Sequence, residues 1–501
     1  MTATIFSRRA GLDPALWLAL RSGLAVAFAL AADALFFTPG VGLSLPVFLA
    51  ALAVAAGALN RPRAERPARL AALAFFALNL LALIEEVGPL SFALAIFGTA
   101  AAALVVATGE TRRWRDIAPK AALLPLLGGL RLVGDVWRAL RLARKRNRTI
   151  RFVTAPLSWI MPALLVGVFL FMFAQANPLI DAWLAKIDLR LLLEILKDGH
   201  PPFWIAVAAA VWPMLHLPAL RPRPVAAFAA RPASRRIADD DLFGATAFLR
   251  SLFALNALFA LQSGLDLAYL WGGLALPGGM SYAEYAHRGA YPLVATALLA
   301  AVIVLAAMRP GGPAERKPLV RPLVLAFVAQ NILLTLSSLL RLDLYVEAYG
   351  LTQWRLAAFV WFALVAAGLA MIVAQIVLGK SLSWLLACNA SALAATLYLC
   401  CFLNFPAIVA DYDVDHSFEA RGRGPHLDLC YLQGLGPGAL PALDRIGDFS
   451  DTPEFRGRLA QLEKDMADWR SWSFRGWRLQ RYLAAHPSRE ALPPQAACGR
   501  D

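Results

Sequence analysis

The sequence predicts an all-α membrane protein, a polytopic bundle of about eleven transmembrane helices with a small helical C-terminal appendage. Three observations predict it. Hydrophobic residues make up 59% of the chain and charged residues only 16%, whereas a soluble domain spends about a quarter of its residues on charge. Apolar runs recur near the roughly 20 residues that a helix needs to cross hydrocarbon. The Lys and Arg of the loops between them alternate between many and few.

In chain order the expected spans are 18–37, 42–59, 68–84, 89–108, 155–175, 202–220, 242–262, 290–308, 320–340, 353–378 and 382–403. The third is short and ends at Glu85 and Glu86, and Arg21 has to snorkel from near the inner end of the first. Placing the N terminus in the cytoplasm puts 28 Lys and Arg on inner segments and five on outer loops, Lys186, Arg190, Lys197, Arg288 and Arg341. The positive-inside bias therefore orients the chain in a cytoplasmic (inner) membrane, and the odd number of spans leaves the C-terminal part outside. Residues 1–20 lack a small-residue cleavage pattern and run straight into the first span, so no secretory signal peptide is expected. The formal charge of +14 belongs to this topology and to lipid headgroups, not to nucleic acid.

Two amphipathic segments do not read as spans. Arg131, Asp135, Arg138, Arg141, Lys145 and Arg148 recur every three or four residues opposite Leu130, Val133, Trp137 and Leu140, as expected of a helix on the inner leaflet. It is either a plain interfacial connector or a dock for lipid or an acidic cytoplasmic partner. Residues 179–197 repeat the pattern outside, with Trp183, Ile187 and Leu191 opposite Asp181, Lys186 and Arg190.

The domain division expected is 1–403 for the transmembrane part and 404–501 for the appendage. In the latter, Thr452 caps a helix that begins at Pro453 and carries Phe455, Leu459, Leu462, Met466 and Trp469 at helical spacing. Its tryptophans suit packing against helices or the membrane interface.

Polar groups inside spans are costly unless paired or facing a cavity, which singles out Asp33, Arg250, Gln262, Gln330, Asn331, Gln375 and Asn389. Each is a ligand or transport residue or a helix-packing hydrogen bond. Outer loops add a second group: Gln262 and Asp266; Tyr282, Glu284, Tyr285, His287 and Arg288; Arg341, Asp343, Tyr345, Glu347 and Tyr349. They form either a polar mouth, where Arg288 or Arg341 binds an anion and Glu284 or Glu347 acts as base or cation ligand, or a clasp of reciprocal salt bridges.

Six scattered histidines give no metal motif. Asp411, Asp413 and Asp415 begin like a calcium loop but lack its Gly and terminal Glu at the required offsets. A phosphate-binding Gly-rich loop and a G-x-S-x-G elbow are both missing, so no cofactor is expected and a non-enzyme is favoured. If the appendage is external, Cys430 and Cys498 sit where a disulfide is permitted.

The wording of several loops is recognisable. Gly279-Met280-Ser281-Tyr282-Ala283-Glu284-Tyr285-Ala286-His287-Arg288-Gly289 and Arg341-Leu342-Asp343-Leu344-Tyr345-Val346-Glu347-Ala348-Tyr349-Gly350-Leu351-Thr352 carry it, with Asn404-Phe405 leading to Asp411-Tyr412-Asp413-Val414, and Leu427-Asp428-Leu429-Cys430-Tyr431-Leu432 leading to Leu435-Gly436-Pro437-Gly438. Together they resemble the bacterial membrane family called domain of unknown function 4173, closely related to the one numbered 4153. The likeness is strongest over about 240–445, and relatives often carry Asn where Asp413 stands. It implies a multi-span bacterial membrane protein and brings no activity or catalytic residue.

The function expected first is a transporter-like or sensing protein for a small polar or anionic solute. A non-enzymatic envelope scaffold and an integral-membrane transferase acting on lipid-linked substrates are the alternatives. Membrane lipids and an envelope or cytoplasmic protein are the expected partners, with no role for nucleic acid.

Overall fold

The computed structural model describes residues 14–37, 40–60, 64–109, 114–126, 128–129, 131–135, 199–215, 217, 245–268, 318–445 and 453–485. They are helical throughout, with short turns between, and fall into two compact units, one within residues 1–223 together with 464–477 and the other within 224–463 together with 478–501.

The first unit contains α1 (Pro14–Ala32), continued by a π-helical turn over Asp33–Phe37, then α2 (Ser44–Leu59), α3 (Arg66–Glu85), α4 (Pro89–Thr108), α5 (Trp114–Leu126) and α6 (His200–Leu215). Proline at the first turns of α3 and α4 suits positions whose amides have no intrahelical acceptor. Ser91 ties the start of α4, accepting from the Gly88 amide at 2.9 Å and donating to the Glu86 carbonyl at 2.7 Å. Gly98 of α4 lies against Asn79 of α3, and a Cβ there would fall 2.6 Å from the amide carbon of Asn79. This close approach needs glycine.

The core of this unit runs through Leu45, Phe48, Leu49 and Leu52 of α2, Leu83 of α3, Leu104 of α4, and Trp212 and Leu215 of α6. Asn60 clamps the ends of α2 and α6: its amide donates to the carbonyls of Ala56 at 2.8 Å and Met214 at 2.9 Å, and its oxygen accepts from the Leu217 amide at 3.1 Å. Trp212 donates to Asp135 at 3.0 Å, and the same carboxylate acts electrostatically on Arg21 and Arg131. Arg21 thus has a carboxylate counterpart besides the lipid interface.

The second unit contains α7 (Ala245–Asp266), α8 (Val320–Tyr349), α9 (Gln353–Val377) and α10 (Leu382–Cys400). Beyond them come α11 (Phe405–His416), α12 (Phe418–Arg421), α13 (Leu429–Gly434), α14 (Leu440–Asp444), α15 (Pro453–Ala467) and α16 (Phe474–Ala485); of the last two, residues 464–477 belong to the first unit. Thr352, Ser381 and Asn404 cap α9, α10 and α11 through their side-chain oxygens.

Helices α7 and α8 run parallel, since Asn256 donates to the Leu323 carbonyl at 3.1 Å, Phe259 meets Phe327 at 4.9 Å between ring centroids, and Asp266 meets Arg341. The charge bias orients the seventh and ninth expected spans alike, and these two helices agree. Helix α9 returns antiparallel, with Arg321 at the start of α8 donating to the Ile376 carbonyl near the end of α9 at 2.7 Å.

Seven helices among the described residues are long and apolar enough to cross a membrane: Ala19–Phe37, Arg66–Glu85, Pro89–Thr108, Phe248–Asp266, Val320–Tyr349, Gln353–Val377 and Leu382–Cys400. Among the described residues, the expectation of eleven spans is corrected to these seven. Two of the other four are helices of only 16 residues, Ser44–Leu59 and His200–Leu215. At 1.5 Å per residue each covers about 24 Å, short of the roughly 30 Å hydrocarbon core. The expected spans at 155–175 and 290–308, the helix at 179–197 and most of that at 131–148 lie outside the described residues.

Candidate functional site

The seventh and ninth expected spans build a polar seam. Spacing of three or four residues puts Leu252, Asn256, Phe259, Ser263 and Asp266 on one face of α7, and all five are buried. Asn331, Thr335, Ser338 and Arg341 line one face of α8 and are buried as well.

The upper part of the α8 stripe satisfies itself. Asn331 donates to Phe327, Thr335 to Asn331 and Ser338 to Leu334, all carbonyls one turn back, at 2.7 to 2.8 Å. Other polar atoms of the pair stay unmatched among the described residues: Asn256 Oδ1, Ser263 Oγ and Gln330 Oε1 are buried and make no hydrogen bond there. Such atoms are expensive in an apolar surround.

The seam ends at an ion pair. Arg341 Nη2 contacts Asp266 Oδ1, with the aspartate fully buried and the arginine only 4% exposed, and Gln262 Nε2 donates to the same carboxylate oxygen at 3.0 Å. Two charges held this far from water cost free energy that mutual attraction and added hydrogen bonds must offset. The planar guanidinium is suited to a second carboxylate or a phosphate should the pair part.

Three members of the expected outer cluster, Gln262, Asp266 and Arg341, thus meet. Tyr345 instead lies under Arg355, whose guanidinium carbon is 4.4 Å from its ring centroid, and Glu347 is exposed. Tyr282, Glu284, His287 and Arg288 lie outside the described residues. Of the interior polar residues, Arg250 is exposed on α7. Gln375 donates to the Lys380 carbonyl at 3.3 Å and Asn389 to the Leu385 carbonyl of its own helix at 3.0 Å.

Asp33 of the first unit, at the π-helical turn, sits 2.6 Å from His200 Nδ1, and the imidazole stacks on Phe37 with 3.6 Å between centroids. His200 had no individual signal in the sequence. Nor did Asn256, a lone amide in an apolar run.

A second constellation joins three of the segments quoted for the family likeness. The α8–α9 turn passes through Gly350 at φ 76°, a left-handed conformation that favours glycine. Asp413 of α11 lies against that glycine, with Oδ1 3.1 Å from where a Cβ would stand, and accepts from the Leu351 amide at 2.6 Å. Tyr431 of α13 accepts from the Gln353 amide at 2.8 Å. Val346, Leu351 and Val409 pack beneath, flanked by Tyr412, Tyr431 and Leu435.

Burial pushes the Asp413 carboxyl up to about 6, against the Leu351 hydrogen bond, Arg355 and His416, which pull it down; Asp428 raises it further. The role required is that of an oxygen acceptor, which asparagine supplies equally. Asp411 and Asp415, on another face of the same helix, both hold Arg445, at 2.7 and 3.2 Å. The three aspartates therefore diverge, and no metal-holding cluster of His, Cys, Asp or Glu occurs among the described residues. Cys430 is disulfide-bonded, while Cys388, Cys400 and Cys401 are free; Cys498 lies outside the described residues.

In the first unit, residues 470–475 dock on helix ends. The Leu43 amide donates to the Trp472 carbonyl at 2.8 Å, Ser44 Oγ donates to the Arg470 carbonyl at 2.8 Å, and Arg475 pairs with both Glu85 and Glu86.

A family model described as Domain of unknown function (DUF4153) matches residues 70–446. The match is thus to family 4153, the close relative of the family 4173 that the loop wording resembled. No curated protein and no solved structure matches the chain.

Proposed function

We propose that this chain, which belongs to the DUF4153 family, is a multi-pass membrane protein that responds to a small polar or anionic solute at the Gln262–Asp266–Arg341 end of the seam between α7 and α8. The observation that supports this reading is the buried ion pair at the end of two aligned polar stripes. Ionisable groups inside spans are costly to keep and mark solute or ion pathways more often than plain packing would. The unmatched atoms of Asn256, Ser263 and Gln330 on the same two helices point the same way, because each would gain from a polar neighbour.

A solute carboxylate or phosphate would compete with Asp266 for Arg341, and its binding would shift the α7–α8 pair between closed and opened states. The test uses the full chain with dicarboxylates, amino acids and inorganic phosphate. At a hundredfold excess over its dissociation constant a true ligand stabilises the fold by about 2.7 kcal/mol. Stabilisation with uptake into proteoliposomes marks a carrier, and stabilisation without uptake marks a sensor. If every solute leaves both stability and flux unchanged, the reading fails.

The envelope scaffold is the second reading, favoured by the docking of residues 470–475 on Leu43, Ser44, Glu85 and Glu86. Co-purification of an envelope protein that is lost on removing residues 404–501 would support it over the first.

A further inference from the structure

The first unit carries a second site, at the outer end of α1. An open cavity of about 610 Å³ lies there, lined by Ala34 and Leu35 of the π-helical turn and by Lys464, Asp468, Trp469 and Arg470.

Its wall is held in place. Arg470 pairs with Asp468 through Nε at 3.0 to 3.1 Å and Nη2 at 2.9 Å, and its Nη1 donates to the Ala34 carbonyl at 3.2 Å. The backbone of 470–472 is bonded to residues 43 and 44. Asp468 thus offsets Arg470, whereas Lys464 is exposed and in no ion pair among the described residues, so the lining carries one uncompensated positive charge.

Below the cavity the surface is apolar. Val26 and Leu30 of α1 and Ala34 of the π-helical turn follow one another at intervals of four and are all exposed, the first two at 57% and 51%. In a helix that is long and apolar enough to span, this stripe faces acyl chains and leads up into the cavity. Trp469, 51% exposed at the rim, is the side chain that membrane–water interfaces favour.

We propose that this cavity binds the phosphate headgroup of an anionic phospholipid from the leaflet on the side of residues 464–477, with an acyl chain along Val26 and Leu30. A free phosphate ester would satisfy Lys464 but leave the apolar stripe unused. The occupant is therefore a lipid and not a soluble ester.

The purified full chain in zwitterionic detergent is given phosphatidylglycerol, phosphatidylcholine or glycerol 3-phosphate, and retained lipid is measured by native mass spectrometry. Phosphatidylglycerol should be held in preference to phosphatidylcholine, and glycerol 3-phosphate should not displace it. Lys464→Glu should lower its retention by at least about fivefold, the scale expected for one basic side chain at an anionic surface. Lys464→Gln should lower it less, and Lys380→Glu, the same charge change at an exposed turn of the other unit, should leave it unchanged. Equal retention of the two lipids, an unaffected Lys464→Glu variant, an equal loss in Lys380→Glu or displacement by glycerol 3-phosphate would each overturn the proposal.

Discussion

Asp413 holds the amide of Leu351 at 2.6 Å, so a carboxylate from the helix after the last span fastens the turn between α8 and α9. The bond draws together residues 62 apart in sequence, and it does so beside Gly350, whose left-handed backbone disfavours a side chain and whose Cβ position would lie 3.1 Å from Asp413 Oδ1.

The titration of this group predicts a pH dependence. Its folded value of about 6 lies above the ordinary 3.8 of an aspartate. The folded state therefore binds the proton more tightly, and the associated stability is full below about pH 4 and is lost as pH rises through 6. The carboxyl is partly solvated, so solvent screening holds the effect to about 1–2 kcal/mol. Asp413→Asn should keep the bond to Leu351, match the protonated form and flatten thermal stability between pH 4 and 7. A variant that retains the wild-type slope would show that another group titrates.

The Asp266–Arg341 pair predicts strong coupling. Removing one member of a buried pair costs about 3–5 kcal/mol, because the other loses its counter-charge. Asp266→Asn and Arg341→Gln should each destabilise the chain, and the double variant should be less unstable than the sum of the two. A coupling energy near zero in the double-mutant cycle would mean that the two side chains act independently.

What the sequence disclosed follows from the range of each interaction. Gln262, Asp266 and Arg341 stand out because polar groups interrupt long apolar runs, a local signal. The clasp expected of the outer cluster assigned no particular carboxylate to Arg341, and the structure joins it to Asp266 at the end of a parallel helix, a tertiary relation that spacing does not encode. Asp411, Asp413 and Asp415 looked like ligands in a loop. On α11, residues two apart point to different faces, so two clasp Arg445 and the third reaches the Leu351 amide. The spans at 42–59 and 202–220 were expected from hydropathy, which registers an apolar helix but not where its ends are fixed. Asn60 fixes two of those ends together.

Orientation supplies the third prediction. Residues 464–477 dock at the π-helical turn after α1 and at the ends of α2 and α3 that the charge bias expects outside, and residues 405–431 meet the α8–α9 turn, which it also expects outside. Reporter fusions after residues 230 and 450 should therefore fall on opposite sides of the membrane, the first cytoplasmic. Cys430, disulfide-bonded in the structure, should resist alkylation until reduced. Two cytoplasmic reporters would reject the topology.

Gly42 gives the last prediction. It precedes Leu43 and Ser44, whose amides reach the Trp472 and Arg470 carbonyls, and a Cβ on it would lie within 2.5 Å of the Trp472 carbonyl oxygen and closer still to the backbone of Ser471. Real side chains do not fit at that range, and the obstacle is main chain, which has no rotamer by which to move aside. Gly42→Val should therefore displace the 470–472 segment while leaving the α2 core at Phe48, Leu49 and Leu52 in place. The Leu43 and Ser44 bonds would go, and the Arg475 pairs with Glu85 and Glu86 would lose their alignment. Limited proteolysis at the exposed Arg478 and Arg481 reads this directly, and cleavage should rise at least about tenfold if the segment's opening free energy falls by about 1.4 kcal/mol or more. Gly57→Val, a position where a Cβ meets nothing within 4 Å, is the matched control and should cleave as wild type does. Equal cleavage of the Gly42 and Gly57 variants would mean that the segment is not held by this contact.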